Sequence, residues 1–396
     1  MVAAATTLLA AGIVALALGL GADDEPRGRS VATVRDATQP QASETGEHRE
    51  RRARGANAGA QVRALVERMP IEDRVAQLFL LGFEGQDLTA PIFERLRERG
   101  IGGIAIDSHN YLSGDQLASL TGEARVIAEQ EGHVAPWLLA PQEGGEFNAF
   151  PGLPPATAAA DLPSAAKAFD EAVDAATALR AVGLNGVLAP VVDVAAPNAA
   201  AVGERAFSDD PRDVAGYAKA VVDAYRGDSM LTAPGHFPGL GAGGGDTRLG
   251  LSQVGSSLAA LRSRDLVPFR AAIRAGAPAI TMSNGLYVTD DFVTPGSLSP
   301  ALIGGLLRRE LGFRGIVITD DLADPGVTSL TEVPKAAVDA LQAGADLLYV
   351  SAPPAEQQAA FEAVLGAAQS GTISPARLQE ALLRNLSVKR NYSLIR

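Results

Sequence analysis

Eight short apolar runs mark the chain between residues 76 and 351. They are AQLFLLGF (76–83), GGIAID (102–107), APWLLA (135–140), GVLAPVVD (186–193), MLTAP (230–234), PAITMS (278–283), GIVITD (315–320) and ADLLYVS (345–351). Each is bounded by turn residues and nearly continuous in its hydrophobicity, as a strand buried on both faces requires. Helical patterns lie between them, for example SAAKAFDEAVDAATALRAVG (164–183) and SPALIGGLLRRELG (299–312). The second is punctuated at both ends, with Ser299 as N-cap, Pro300 at the first helical position and Gly312 to close. Strands alternating with helices imply βα units and a parallel sheet. Eight such units predict an α/β chain folded as a single (β/α)8, TIM-like barrel over residues 61–396. A doubly wound open sheet shares the same alternation. The barrel is favoured because polar residues follow the runs: Gln142 and Glu143 the third, Asp193 and Arg205 the fourth, His236 and Asp246 the fifth, Asn284 the sixth, Asp320 and Asp321 the seventh. Loops in those positions build the mouth of a barrel.

Ahead of the barrel the pattern changes twice. Residues 2–22 carry no charge and are almost wholly apolar, about the length that spans a bilayer and compatible with a secretory signal. A basic leader is missing, and Gly19, Gly21 and Ala22 form only a weak cleavage site. Export is expected, by cleavage or by a retained membrane anchor. Residues 23–60 are charged and polar with hardly a large apolar side chain, so they cannot offset their ordering entropy and read as a disordered linker. The arginines at 49, 51, 52 and 54 fall within it and read as solvated. Membrane contact is therefore expected only through the N-terminal segment. A net charge of −12 argues against nucleic acid as a partner. The chain has no cysteine, hence no disulfide framework, and its four histidines are too scattered for metal-ligand spacing. Neither a metal nor a cofactor is expected, and the chain is expected to act as a monomer.

One stretch concentrates the candidate chemistry. PGHFPGLGAGGGDTRLGL runs from Pro234 to Leu251 and contains G-x-G-x-x-G at residues 239–244, with Asp265 downstream. A dinucleotide site would need that loop to open a helix directly after a strand. Here Pro238 breaks the approach, Asp-Thr-Arg-Leu-Gly stands where the helix should begin, and no Lys-Ser/Thr pair follows. The glycines are better read as a mobile loop that carries His236 and Asp246 over a pocket. With that reading, His236-Phe237-Pro238-Gly239, Gly241 and Asp246-Thr247 resemble the K-H-F-P-G-H-G…D-[ST]-H signature of family 3 glycoside hydrolases, in particular the β-N-acetylhexosaminidases. SLSPALIGGLLRRELGFRGIVITDDL (297–322) is similar to the segment that carries that family's nucleophile. Gln142-Glu143-Gly144-Gly145 is similar to its D-Q-E-G-G turn, and Gly203-Glu204-Arg205-Ala206-Phe207 to its G-x-R-[SA]-F loop. The resemblance runs in order over residues 65–390.

The resemblance implies a retaining glycosidase, with a carboxylate nucleophile and an acid/base on either side of the glycosidic bond. It makes Asp320 the nucleophile, and Asp321 is left to cap the following helix. The acid/base of the hexosaminidase branch is an Asp-x-His pair, but this chain reads Asp246-Thr247-Arg248. Arginine stays protonated across the working pH range, so Arg248 cannot hand over a proton; a salt bridge to Asp246 is its plain reading. Asp246 remains a catalytic candidate, and Arg205, His236, Glu143 and Asn284 are candidates for substrate binding. Further departures are Pro141 for the Asp of D-Q-E-G-G, Glu146 for an arginine, Gly235 for a lysine, and Leu240 and Asn284 for histidines. Two functions follow. One is a hydrolase of β-linked N-acetylhexosamine or related cell-wall-type glycans, with another acid such as Glu143, Asp246 or water. The other is an exported pseudoenzyme that binds glycan or a protein partner through the same mouth.

Overall fold

Every one of the eight runs supplies one strand of a parallel ring. In the computed structural model, which describes residues 59–197 and 200–395, these are β1 (Phe79–Leu81), β2 (Gly103–Ala105), β3 (Trp137–Ala140), β4 (Gly186–Val187), β5 (Leu231–Thr232), β6 (Ala279–Thr281), β7 (Ile316–Ile318) and β8 (Leu348–Val350). The apolar segment 2–22 and nearly all of the linker 23–60 lie outside the described residues, which open with a helix over 59–68. Strands β8, β1, β2, β3, β4 and β5 form one continuous ladder, and β6 and β7 form a second parallel pair. Two parallel bridges close the seams, Phe237 to Met282 between the extensions of β5 and β6, and Ile318 to Leu347 between β7 and β8. The result is the (β/α)8 barrel.

The strands are apolar throughout because the ring is packed from inside and outside at once. Leu80, Trp137, Leu139, Leu231, Ile316 and Ile318 belong to an inner cluster, while a larger cluster lies between the strands and the surrounding helices. Small residues make room within the ring. A Cβ at Gly186 would sit 2.7 Å from Leu139 Cδ2 and Leu231 Cβ, so glycine there lets both leucines fill the interior.

Helix starts follow local chemistry. Ser164 Oγ accepts the Lys167 amide and opens the helix Ala165–Ala181. Ser299 Oγ accepts from Leu302 at 3.1 Å ahead of the helix Ala301–Glu310. That helix is wound as a π-helix, as in Leu311 N–H to Leu306 C=O, and not as the α-helix its spacing predicts.

Below the strands the barrel is tied shut. Trp137 Nε1 donates to Asn385 of the C-terminal helix Pro375–Asn391, and Asn385 donates to the Gln77 carbonyl. Buried Asp346, two residues before β8, accepts from Arg308, Arg377 and Arg384. The opposite end, where strands run into their following loops, is free to hold a site.

Candidate active site

The loops after the strands enclose a cavity of about 300 Å3 at the mouth. Its most constrained element is the turn after β5. Asp193, fully buried beyond β4, accepts from His236 Nδ1 at 2.7 Å, from the His236 amide at 3.2 Å and from the Leu240 amide at 2.6 Å. One carboxylate thus fixes both the imidazole and the backbone that carries it. Burial alone would lower the pKa of His236, but the charge and hydrogen bond of Asp193 and the charge of Asp320 outweigh it and raise it. The ring's Nε2 lies 3.4 Å from Arg205 Nη2.

Arg205 in turn makes a two-pronged bridge to Glu143, Nε to Oε2 at 2.6 Å and Nη2 to Oε1 at 2.8 Å. Burial works against the guanidinium charge, and Glu143 more than restores it. Asp320 follows β7. Its amide donates to Ser297 Oγ at 3.2 Å and its Oδ1 accepts from the Asp321 amide at 3.0 Å, while no described residue donates to its Oδ2. Burial raises its pKa, opposed by the charge of His236, the Asp321 amide and the charges of Arg205 and Arg248. The cavity therefore brings the Asp320 carboxyl together with the His236 ring and the Arg205 guanidinium.

Asp320, Glu143, Arg205, His236 and Arg248 all line this one cavity. Asp246 stands outside the lining, held by Arg248 through Nε at 2.9 Å and Nη2 at 2.6 Å, so the pair read from the sequence is formed. Asn284 does not reach the cavity either. It is fully buried, and its amide donates to the Asp321 carbonyl at 2.7 Å, which makes it a support for the β7 loop instead of a sugar contact. Asp321 also departs from its expected capping role. Its Oδ1 accepts from the amides of Ala323 and Ser351 and fastens the β7 loop to the end of β8.

The glycine-rich loop opens no helix. After it comes Gln253–Val254, paired in parallel with Leu286–Tyr287, before the next helical residue at Leu258. Its glycines serve close packing: Gly239 has φ of +130° against Asp265, and a Cβ on Gly241 would lie 1.9 Å from the Val194 carbonyl oxygen. Several lining residues were not singled out by spacing. Asp107 and His109 enter from the β2 loop, and Asp324 and Tyr349 from the β7 and β8 sides. Asp193 was visible as a polar residue after the fourth run, but its hold on His236 spans 43 positions and has no local signature.

The chain is similar to known proteins over most of its length. Residues 70–388 match the family profile described as "Glycosyl hydrolase family 3 N terminal domain". The chain is 36% identical over 287 residues to a curated protein named Beta-hexosaminidase from Xylella fastidiosa (strain M23), covering 70% of this chain and 84% of that one. A glycoside hydrolase family 3 β-N-acetylglucosaminidase from Paenibacillus sp. str. FPU-7 superposes with a TM-score of 0.78 at 31% identity, covering 82% of this chain and 63% of that one, so this chain spans less than two thirds of its length. The β-N-acetylhexosaminidase of Beutenbergia cavernae DSM 12333 superposes with a TM-score of 0.74 at 29% identity, over 81% of this chain and 99% of that one. The chain belongs to glycoside hydrolase family 3, a family of glycosidases, and its barrel is that family's N-terminal domain.

Proposed function

We propose that this chain hydrolyses β-linked N-acetylhexosaminides, or closely related cell-wall-type glycans, with retention of configuration and with Asp320 as nucleophile. The observation that carries the reading is the placement of Asp320, which accepts the Asp321 amide on one oxygen and lines a cavity it shares with His236 and Arg205. A carboxylate so placed attacks the anomeric carbon as the leaving oxygen departs, and water then releases the sugar from the ester. His236 and Arg205 are placed to bind hydroxyls and to favour the ionised form of Asp320. The apolar run at residues 2–22 supports an exported enzyme, secreted or anchored, at the extracytoplasmic face.

A second reading, a glycan-binding or partner-binding pseudoenzyme, is favoured by Arg248, because it occupies the position from which a histidine would shuttle protons. A screen of aryl N-acetylglucosaminides and glucosides separates the two, with Asp320→Asn as control against contaminating enzyme. The hydrolase reading expects aglycone release that disappears in the variant. Equal release from both proteins, or none, together with a melting temperature raised by glycan fragments, would establish the binding reading.

A further inference from the structure

The proposed hydrolysis leaves one task unassigned, since a departing alkoxide needs a proton. Every group that spacing offers for it is engaged elsewhere. Glu143 commits both oxygens to Arg205. Burial would raise the pKa of Asp246, but hydrogen bonds from the side chain and amide of Arg248 hold its carboxyl below the usual range. His236 turns Nδ1 to Asp193 and Nε2 towards the Arg205 guanidinium.

Asp324 differs from all three. It precedes the four-residue helix Pro325–Thr328, where an aspartate ordinarily bends back to accept a helix amide, yet its side chain makes no such bond. Its backbone carbonyl alone accepts the amides of Val327 and Thr328. The carboxyl lines the same cavity as Asp320, and its Oδ2 is buried with no hydrogen-bond partner. The following residues fasten it to the loop of Arg248. Gly326 N–H donates to the Thr247 carbonyl at 2.8 Å, and a Cβ on Gly326 would come within 3.0 Å of Thr247 Cβ and its oxygen. Asp324 therefore stands where the β5 loop docks on the β7 loop, beside the position that lacks a proton carrier.

We propose that Asp324 is the general acid/base of this glycosidase, carrying the proton that position 248 cannot. The inference rests on Asp320 acting as nucleophile. Burial first, then the negative charges of Asp320, Asp321 and Asp246, push the Asp324 carboxyl up to about 9, opposed by Arg248. Glu84, Asp107, His109 and Tyr349 also line this cavity, and desolvation with the neighbouring carboxylates raises the Tyr349 hydroxyl well above its usual range. Burial raises Asp320 too, but the charges of His236, Arg205 and Arg248 oppose it, whereas Asp324 has Arg248 alone against burial and three carboxylates. Unequal environments of this kind set apart the two members of a glycosidase pair. In the first step an Asp320 oxygen bonds to the anomeric carbon, the glycosidic C–O bond breaks towards the leaving oxygen, and that oxygen takes the Asp324 proton. In the second step Asp324, now a carboxylate, takes a proton from water as the water oxygen bonds to the anomeric carbon. The bond to Asp320 breaks, its electron pair returns to the Asp320 oxygen, and Asp324 is again protonated.

The test is Asp324→Asn in the full chain, read on two leaving groups. With an unactivated chito-oligosaccharide, kcat/KM is expected to fall by about 10²–10⁴-fold, the usual contribution of a general acid. With a dinitrophenyl N-acetylglucosaminide, which leaves unaided, kcat/KM is expected to change little, which also shows that the variant is folded. Added azide is expected to speed turnover of the dinitrophenyl substrate by the variant and to yield the β-glycosyl azide, because azide needs no base. For the unactivated substrate, wild-type kcat/KM is expected to fall as pH rises through about 9 and Asp324 loses its proton. A carboxylic-acid C=O band in the wild-type minus Asp324→Asn infrared difference spectrum at neutral pH reports the proton without any turnover. If wild type cleaves both substrates and the variant keeps the wild-type ratio between them, or if the infrared difference spectrum shows no carboxylic-acid band, the assignment of Asp324 is overturned while Asp320 stands. If wild type cleaves neither substrate and the difference spectrum nonetheless shows the band, the Asp320 reading has failed and the catalytic role of Asp324 falls with it.

Discussion

Arg248 binds Asp246 with its own amide at 2.9 Å as well as with two guanidinium nitrogens, so the pair is as much a local turn as a salt bridge. The Arg248 side chain is 58% exposed, which screens the charge interaction and leaves position as its main effect. The Asp246 carboxyl is thereby held below its usual pKa range, outside the cavity lining. Replacing Arg248 with His would give Asp246 an imidazole to orient, the arrangement that tunes a histidine for proton transfer. Arg248→His is expected to restore at least tenfold of the activity that Asp324→Asn loses on unactivated substrates, a modest share of the range about 10²–10⁴ for a general acid. Kinetics of the single and double variants on both leaving groups check this, and a double variant no better than Asp324→Asn would show that position 248 cannot reach the leaving oxygen. The departure at 248 was legible from residue types alone, since arginine cannot exchange its proton. The answer to it was not. Asp324 looks in the sequence like an ordinary cap before Pro325, and only the missing cap bond and the three neighbouring carboxylates single it out.

The loop from Pro234 to Leu251 is held by contacts distant in sequence. Asp193 accepts the Leu240 amide, and Gly241 passes so close to Val194 that a Cβ would lie 1.9 Å from its carbonyl oxygen. Gly241→Ala must therefore push the loop off Asp193 and loosen His236. A stability loss of about 1–3 kcal/mol, typical of forced overpacking, is expected, with a matching fall in hydrolysis. Gly244→Ala is the control, because nothing lies within 4 Å of a Cβ there, and it is expected to melt as the wild type does. Calorimetry of the two variants is the check, and equal melting would mean that the loop is not anchored at Gly241. The strands were legible because each is a continuous apolar run, and the cap at Ser299 because it acts within three residues. The π-winding of Ala301–Glu310 and the turning of Asn284 behind the β7 loop were not, because both depend on packing between elements.

Across the whole molecule the two ends of the barrel are built differently. At the bottom, Asp346 is shared among three arginines, and buried Lys389 donates to the Gln77 side-chain oxygen and the Ala135 carbonyl. At the mouth, carboxyls are left short of partners: Asp324 Oδ2 is buried with none, and no described residue donates to Asp320 Oδ2. Carboxyls left short of partners cost stability, and such groups gather where chemistry is done. The central claim is that Asp320 forms a covalent bond to sugar. Intact-mass analysis after incubation with 5-fluoro-N-acetylglucosaminyl fluoride tests it most directly, because the leaving fluoride reduces the need for an acid and the ring fluorine slows release of the ester. The expected result is one added fluoroglycosyl unit, mapped by peptide digestion to Asp320 and absent in Asp320→Asn. An unchanged mass in the wild type, or a label carried on any other residue, would contradict it.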